Sequence, residues 1–126
     1  MITETTVQNV KQGGDSTQVG RLHMDGAYIT IATITSIQRT ITDITNHGDT
    51  VIDDSPVVPA TAVFDTLQTD GRWDKDSTGY NFRNTVAGAL LALAEHTYRV
   101  EYKFTGSGGQ VFWEVYELFT EKIRAM

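Results

Sequence analysis

The sequence has no cysteine in its 126 residues. Disulfide staples and thiolate metal sites are excluded together. Proline occurs only at Pro56 and Pro59, which brackets Val57-Val58 as an edge strand or a loop. Basic residues are scarce, 10 against 16 acidic ones, for a net charge of −6. A polyanion is repelled by that balance, so neither nucleic acid nor an anionic membrane surface is an expected partner. No apolar run approaches the roughly 20 residues of a membrane-spanning helix. The opening Met1 to Val10 lacks the apolar centre of a secretion signal. Synthesis in the cytoplasm is expected, with any later release occurring inside an assembly.

Thr, Val and Ile are abundant. Their branched Cβ atoms restrict χ1 and favour pleated strands over helices. With 11 glycines supplying turns, the composition predicts a soluble all-β chain, long enough for one core-forming domain. The expected division is a flexible polar arm over residues 1–17, a β-sandwich over 18–117 and a tail over 118–126 with a short helix. Gln12-Gly13-Gly14-Asp15-Ser16 reads as the hinge of that arm. The arm is either a disordered terminus or a segment that orders on a neighbouring subunit.

Within the domain, Gln18 to Met24 and Ala27 to Ile31 read as strands joined by the hairpin signal Asp25-Gly26. Ile34 to Ile44 fits a helical face or a strand. Its Thr, Ser and Asp content favours a strand, with one bulge near Ser36. Asn46-His47-Gly48-Asp49 is a turn, and Thr50 to Asp53, Thr61 to Leu67 and Tyr80 to Val86 are further strands. A long polar loop runs from Asp70 to Gly79. Ala87 to His96 is helical in composition, but its length limits it to one or two turns. The strongest local pattern is Tyr98 to Phe104, the turn Gly106-Ser107-Gly108-Gly109 and Val111 to Tyr116, a hairpin rich in aromatic residues.

Catalytic and metal-binding patterns are sparse. Asp74-Lys75-Asp76-Ser77-Thr78-Gly79 matches the first half of a calcium loop, with Asp74, Asp76 and Thr78 as ligands. Position 12 is Thr85 rather than a bidentate Glu. The competing reading is a solvated turn whose aspartates cap backbone amides. His23, His47 and His96 lack metal-ligand spacing, and neither a nucleophile elbow nor a phosphate loop is present. No enzyme activity and no cofactor are expected. Trp73, Tyr80, Phe112, Trp113 and Tyr116 are the candidate interface residues, because one aromatic face of the hairpin must be core and the other is either covered or a contact patch.

Two stretches carry a resemblance. Leu91-Ala92-Leu93-Ala94-Glu95-His96-Thr97-Tyr98-Arg99-Val100 resembles the corner before the penultimate strand of immunoglobulin-like and fibronectin type III domains. It implies an immunoglobulin-like antiparallel β-sandwich in which Tyr98 is the corner tyrosine and Leu91 its core neighbour. Ala94 and Glu95 stand where that corner usually has proline or glycine. A longer pattern runs from Gly14-Asp15 through Asp25-Gly26, Val63-Phe64-Asp65, Trp73 and Gly79-Tyr80-Asn81-Phe82 to Gly108-Gly109-Gln110. It resembles small β-sandwich proteins encoded among the structural genes of tailed bacteriophages, and their baseplate and receptor-tip modules. The resemblance implies a virion component, such as a capsid decoration, neck or tail protein. Its partners would be other virion proteins and further copies of itself. The alternative is a carbohydrate- or receptor-binding module with Trp73, Tyr80 and Trp113 as stacking platforms.

Overall fold

The computed structural model describes residues 6–45 and 49–123. The expected turn at Asn46-His47-Gly48, and with it His47, lies outside the described residues, as do the first five residues of the expected arm. The hairpin at the centre of the sequence pattern is the centre of the fold. β9 (Thr97–Gly106) and β10 (Val111–Glu121) pair antiparallel, with Phe112 opposite Phe104 and Tyr116 opposite Val100. β5 (Ile34–Asp43) pairs with the other side of β9, and β6 (Thr50–Val57) pairs with β5. The register of β5 on β9 shifts between Ile34 and Ser36, where the bulge is expected.

β1 (Thr6–Lys11) completes this sheet by running parallel to β10, giving the order β1-β10-β9-β5-β6. The second sheet is β2 (Ser16–Gly20), β8 (Tyr80–Val86) and β7 (Val63–Gln68), in the order β2-β8-β7. β3 (His23–Met24) and β4 (Ala27–Tyr28) form a small hairpin. Its turn has positive φ at both Asp25 and Gly26, as a two-residue Asp-Gly turn requires. The chain is an all-β sandwich. The last, penultimate and fifth strands share one sheet, and the second, seventh and eighth share the other, as in immunoglobulin-like domains.

Buried residues alternate along β2, β9 and β10, so there the core takes every second residue, while on β5 they include Ile34, Ile37 and Ile41, on both sides of the bulge. Ile37, Ile41, Val100, Tyr102, Phe104, Tyr116 and Leu118 come from the large sheet, and Phe82 and Val86 from the small one. Phe82 meets Tyr102 and Phe104 edge-on at 4.9 and 5.2 Å, the geometry preferred by ring quadrupoles. Polar groups cross the same interior. The Tyr102 hydroxyl proton is shared between Gln18 Oε1 on β2 at 2.6 Å and Asn84 Oδ1 on β8 at 3.0 Å. The Tyr116 hydroxyl donates to the Val19 carbonyl at 3.2 Å. Burial holds both phenols well above their ordinary pKa, so they remain donors.

Two expectations need correction. From Thr6 onward the arm belongs to the domain. Thr6, Gln8 and Val10 face inward and Val10 packs on the core. The expected hinge is a bonded turn, in which Gly13 N–H donates to Leu91 O and Gln12 N–H to Glu121 O. A Cβ on Gly88 would lie 2.0 Å from the Gly13 carbonyl, so this contact requires glycine. The expected tail is strand as far as Glu121, with Leu118 and Thr120 fully buried. Ala87 to His96 holds a single 3-10 turn, Gly88–Leu91, within the one or two turns expected of it. Pro59–Ala62 forms a single helical turn, and Pro56 sits on β6, an edge strand.

Deleting residues 1–12 should therefore unfold the protein or lower its denaturation midpoint, since it strips the parallel partner from β10. An unchanged midpoint in the truncated chain would show that β1 contributes nothing to the domain.

Candidate interaction surfaces

The alternation that builds the core also decides which aromatic residues are available. Phe112 and Tyr116 point inward, and Tyr80 is fully buried. All three are core residues rather than interface residues. The opposite face of β10 carries Val111, Trp113, Val115, Glu117 and Phe119, which are half-buried or exposed. On this face β1 adds Val7, 68% exposed. β9 supplies Arg99, Glu101 and Lys103 across from Glu117, Val115 and Trp113. The result is a strip of Val, Trp and Phe beside a strip of mixed charge. Among the described residues no further layer covers it.

Trp73 belongs to a separate feature, the loop between β7 and β8. Asp76 organises this loop. Its carboxylate accepts from Arg21 through both guanidinium nitrogens at 2.9 Å, and from Trp73 Nε1 at 2.9 Å. It also accepts from the Thr78 and Gly79 amides. Arg21 and then Trp73 hold the Asp76 carboxyl well below the usual carboxylate range. Asp70 forms the second anchor, accepting from the Tyr80 hydroxyl at 2.7 Å and from the Arg72 amide, which keeps its carboxyl low as well. Lys75 Nζ and the Arg21 guanidinium lie 5.4 and 5.7 Å from the Trp73 ring centre, within cation–π range.

The loop thus caps its own amides. A calcium ion held by Asp74, Asp76 and Thr78 would have to displace the Arg21 guanidinium. Among the described residues no three His, Asp or Glu side chains converge as a metal site would need. The proposed stacking trio also separates. Trp73 lies 6.0 Å from the buried Tyr80 ring, while Trp113 is on the outer face of the other sheet.

The corner before β9 is built from Leu91, Leu93, Glu95 and Tyr98. Leu91 is fully buried and Tyr98 nearly so. The Tyr98 hydroxyl accepts from the Leu93 amide at 3.4 Å. Glu95 adopts φ +60, the left-handed position that glycine usually fills, and its amide donates to the Thr120 carbonyl at 2.7 Å.

The corner also forms a pocket that sequence spacing did not reveal. His96 Nδ1 lies 2.6 Å from Asp43 Oδ2, and Asp43 Oδ1 accepts from the Thr45 amide at 3.0 Å. Burial pushes the Asp43 carboxyl up, but the bonds from Thr45 and His96 outweigh it and keep the group ionised below the ordinary carboxylate value. Asp43, Tyr98, Ile52, Leu90 and Leu93 line an open pocket of about 230 Å³ with two alanines, Ala89 and Ala92. Asp43 and His96 are 53 residues apart, so no local motif could have shown the pair. His23, by contrast, lies exposed on the small hairpin, its ring 4.5 Å from Tyr28.

The loop clamp has a defined pH response. Asp70 and Asp76 have folded pKa values below their ordinary one, so their bonds stabilise the fold fully above that value. The contribution declines as pH falls through the folded values. In a Trp113→Phe background, Trp73 emission should stay constant from pH 7 to about 4 and change only below that. Asp76→Asn should alter the emission at pH 7. A transition above pH 5, or an unaltered Asp76→Asn spectrum, would contradict the clamp. No protein-family model matches the sequence, and no curated protein matches it.

Proposed function

We propose that this chain is a non-enzymatic structural component of a tailed-phage particle. It would act through protein–protein contacts as a capsid decoration, neck or tail protein, and reside in the virion. The observation that carries the reading is the outer face of β10 and β1, where Val7, Val111, Trp113, Val115 and Phe119 form a strip beside Arg99, Glu101 and Lys103. An aromatic and apolar centre with a charged margin is the anatomy of a protein contact site. The net charge of −6 disfavours a nucleic-acid backbone at the same face.

The resemblance to phage structural proteins supplies the kind of assembly. Support for it comes from sequence pattern together with the sandwich architecture. The carbohydrate alternative gains no support from the buried Tyr80 or from the separated Trp73 and Trp113.

Peptide mass spectrometry of purified particles should detect the chain. Val115→Lys, opposite Glu101 on the outer face, should leave the thermal midpoint of the isolated protein nearly unchanged and lower its incorporation severalfold. Absence of the wild-type chain from particles would overturn the proposal.

A further inference from the structure

The pocket beside the corner joins two features that seldom share a small cavity. Its walls are aliphatic, and Leu93 and Ile52 at its rim remain 54% and 37% exposed. Asp43 and Tyr98 are its polar lining residues, and no basic residue is among those that line it. An ionised carboxylate only accepts hydrogen bonds, so His96 Nδ1 donates to it. The carboxylate has about four lone-pair sites; the His96 ring and the Thr45 amide and hydroxyl occupy three of them and leave one. The Tyr98 hydroxyl accepts from Leu93 and retains its own proton.

The volume of about 230 Å³ is below that of pockets for drug-sized ligands. It matches the insertion of one long side chain from a partner, the usual form of an interface anchor. That side chain needs an aliphatic stem and a cationic end. Lysine meets both needs, since its methylenes lie along apolar walls while the ammonium reaches a polar group. Arginine fits less well. Its planar fork seeks a carboxylate with two oxygens presented together, and here each Asp43 oxygen already holds another donor.

We propose that the pocket formed by Asp43, Tyr98, Ile52, Leu90 and Leu93 receives a lysine side chain of a partner protein. The ammonium donates to the Asp43 carboxylate, and the stem packs against Leu90, Leu93 and Ile52. This contact lies away from the outer sheet face and rests on the reading of the chain as a contact-making module. It gives that module a second, charge-selective anchor.

The test is a titration of the isotopically labelled full chain, followed by amide resonances in NMR. The probe is Nα-acetyl-lysine methylamide. The controls are its Nε-acetylated form, which lacks the charge, and the norleucine analogue, which lacks the ammonium. Lysine should shift the amides of Ala92, Leu93 and Tyr98 saturably in the millimolar range. Both controls should bind at least about tenfold more weakly, the effect of losing one hydrogen bond to a charged group.

Asp43→Asn should weaken lysine binding by a similar factor. Leu93→Lys, at an exposed position, should abolish it by placing a cation at the rim without disturbing the core. Equal shifts from norleucine, no shifts up to about 100 mM lysine probe, or full binding by Leu93→Lys would each overturn the proposal. The outcome is separate from the particle inventory. A chain absent from particles that still selects lysine would refute the virion assignment alone, and a virion component blind to lysine would refute the pocket alone.

Discussion

The two sheets are fastened by hydrogen bonds from tyrosines of one to polar groups of the other. Tyr102 stands at the middle of β9, the central strand of the large sheet, and its hydroxyl reaches Gln18 and Asn84 on two strands of the small sheet. Gln18 in turn donates to Ser16 Oγ at 3.0 Å. Arg39, opposite Tyr102 on β5, donates to Asn84 Oδ1 at 2.9 Å and pairs with Asp53 on β6 at 3.2 Å. A polar chain therefore runs from the small sheet to the edge of the large one. Apolar packing alone tolerates many offsets between two sheets. A buried hydroxyl and two amides tolerate few, because any slip leaves a polar group unpaired at about 1–3 kcal/mol.

This fastening also determines what is left for contacts. With Tyr102, Tyr116 and Phe112 committed to the interior, the other face of the same hairpin must present Val111, Trp113, Val115 and Phe119 outward. The two edges of the large sheet differ as well. β6 carries Pro56, Asp53 and Asp54, and its register against β5 shifts between Ile41 and Thr42, all devices that discourage further strand pairing. β1 has the sequence TVQNVK, with no proline and a single charge at its end. The open edge and the apolar face thus lie side by side, which suits the proposed role in an assembly.

Much of the architecture was legible because it is written locally. The closing hairpin alternates with period two, Asp25-Gly26 is a turn by its backbone preferences, and the Ile34 to Ile44 segment resolves as a strand through its Thr and Ser content. Long-range features were not legible. The polarity of Thr6 to Lys11 fits a disordered arm, and nothing nearby reveals that it pairs with residues beyond 115. Period-two alternation likewise shows that Phe112 and Trp113 face opposite ways without saying which way is inward. That choice depends on where the small sheet lies. The Asp43–His96 pair and its pocket arise from three segments meeting at one end of the sandwich. The role of Asp76 was hidden for a related reason, since it is bound by Arg21, 55 residues away.

The central claim is that the Tyr102–Gln18 bond couples the sheets, and a double-mutant cycle tests it most directly. Tyr102→Phe, Gln18→Leu and the double variant would be unfolded by denaturant alongside the wild type. The account predicts that each single variant loses stability and that the double loses less than their sum, with a coupling of about 1–2 kcal/mol. Losses that add to within about 0.5 kcal/mol would contradict it and would mean that this bond does not couple the sheets.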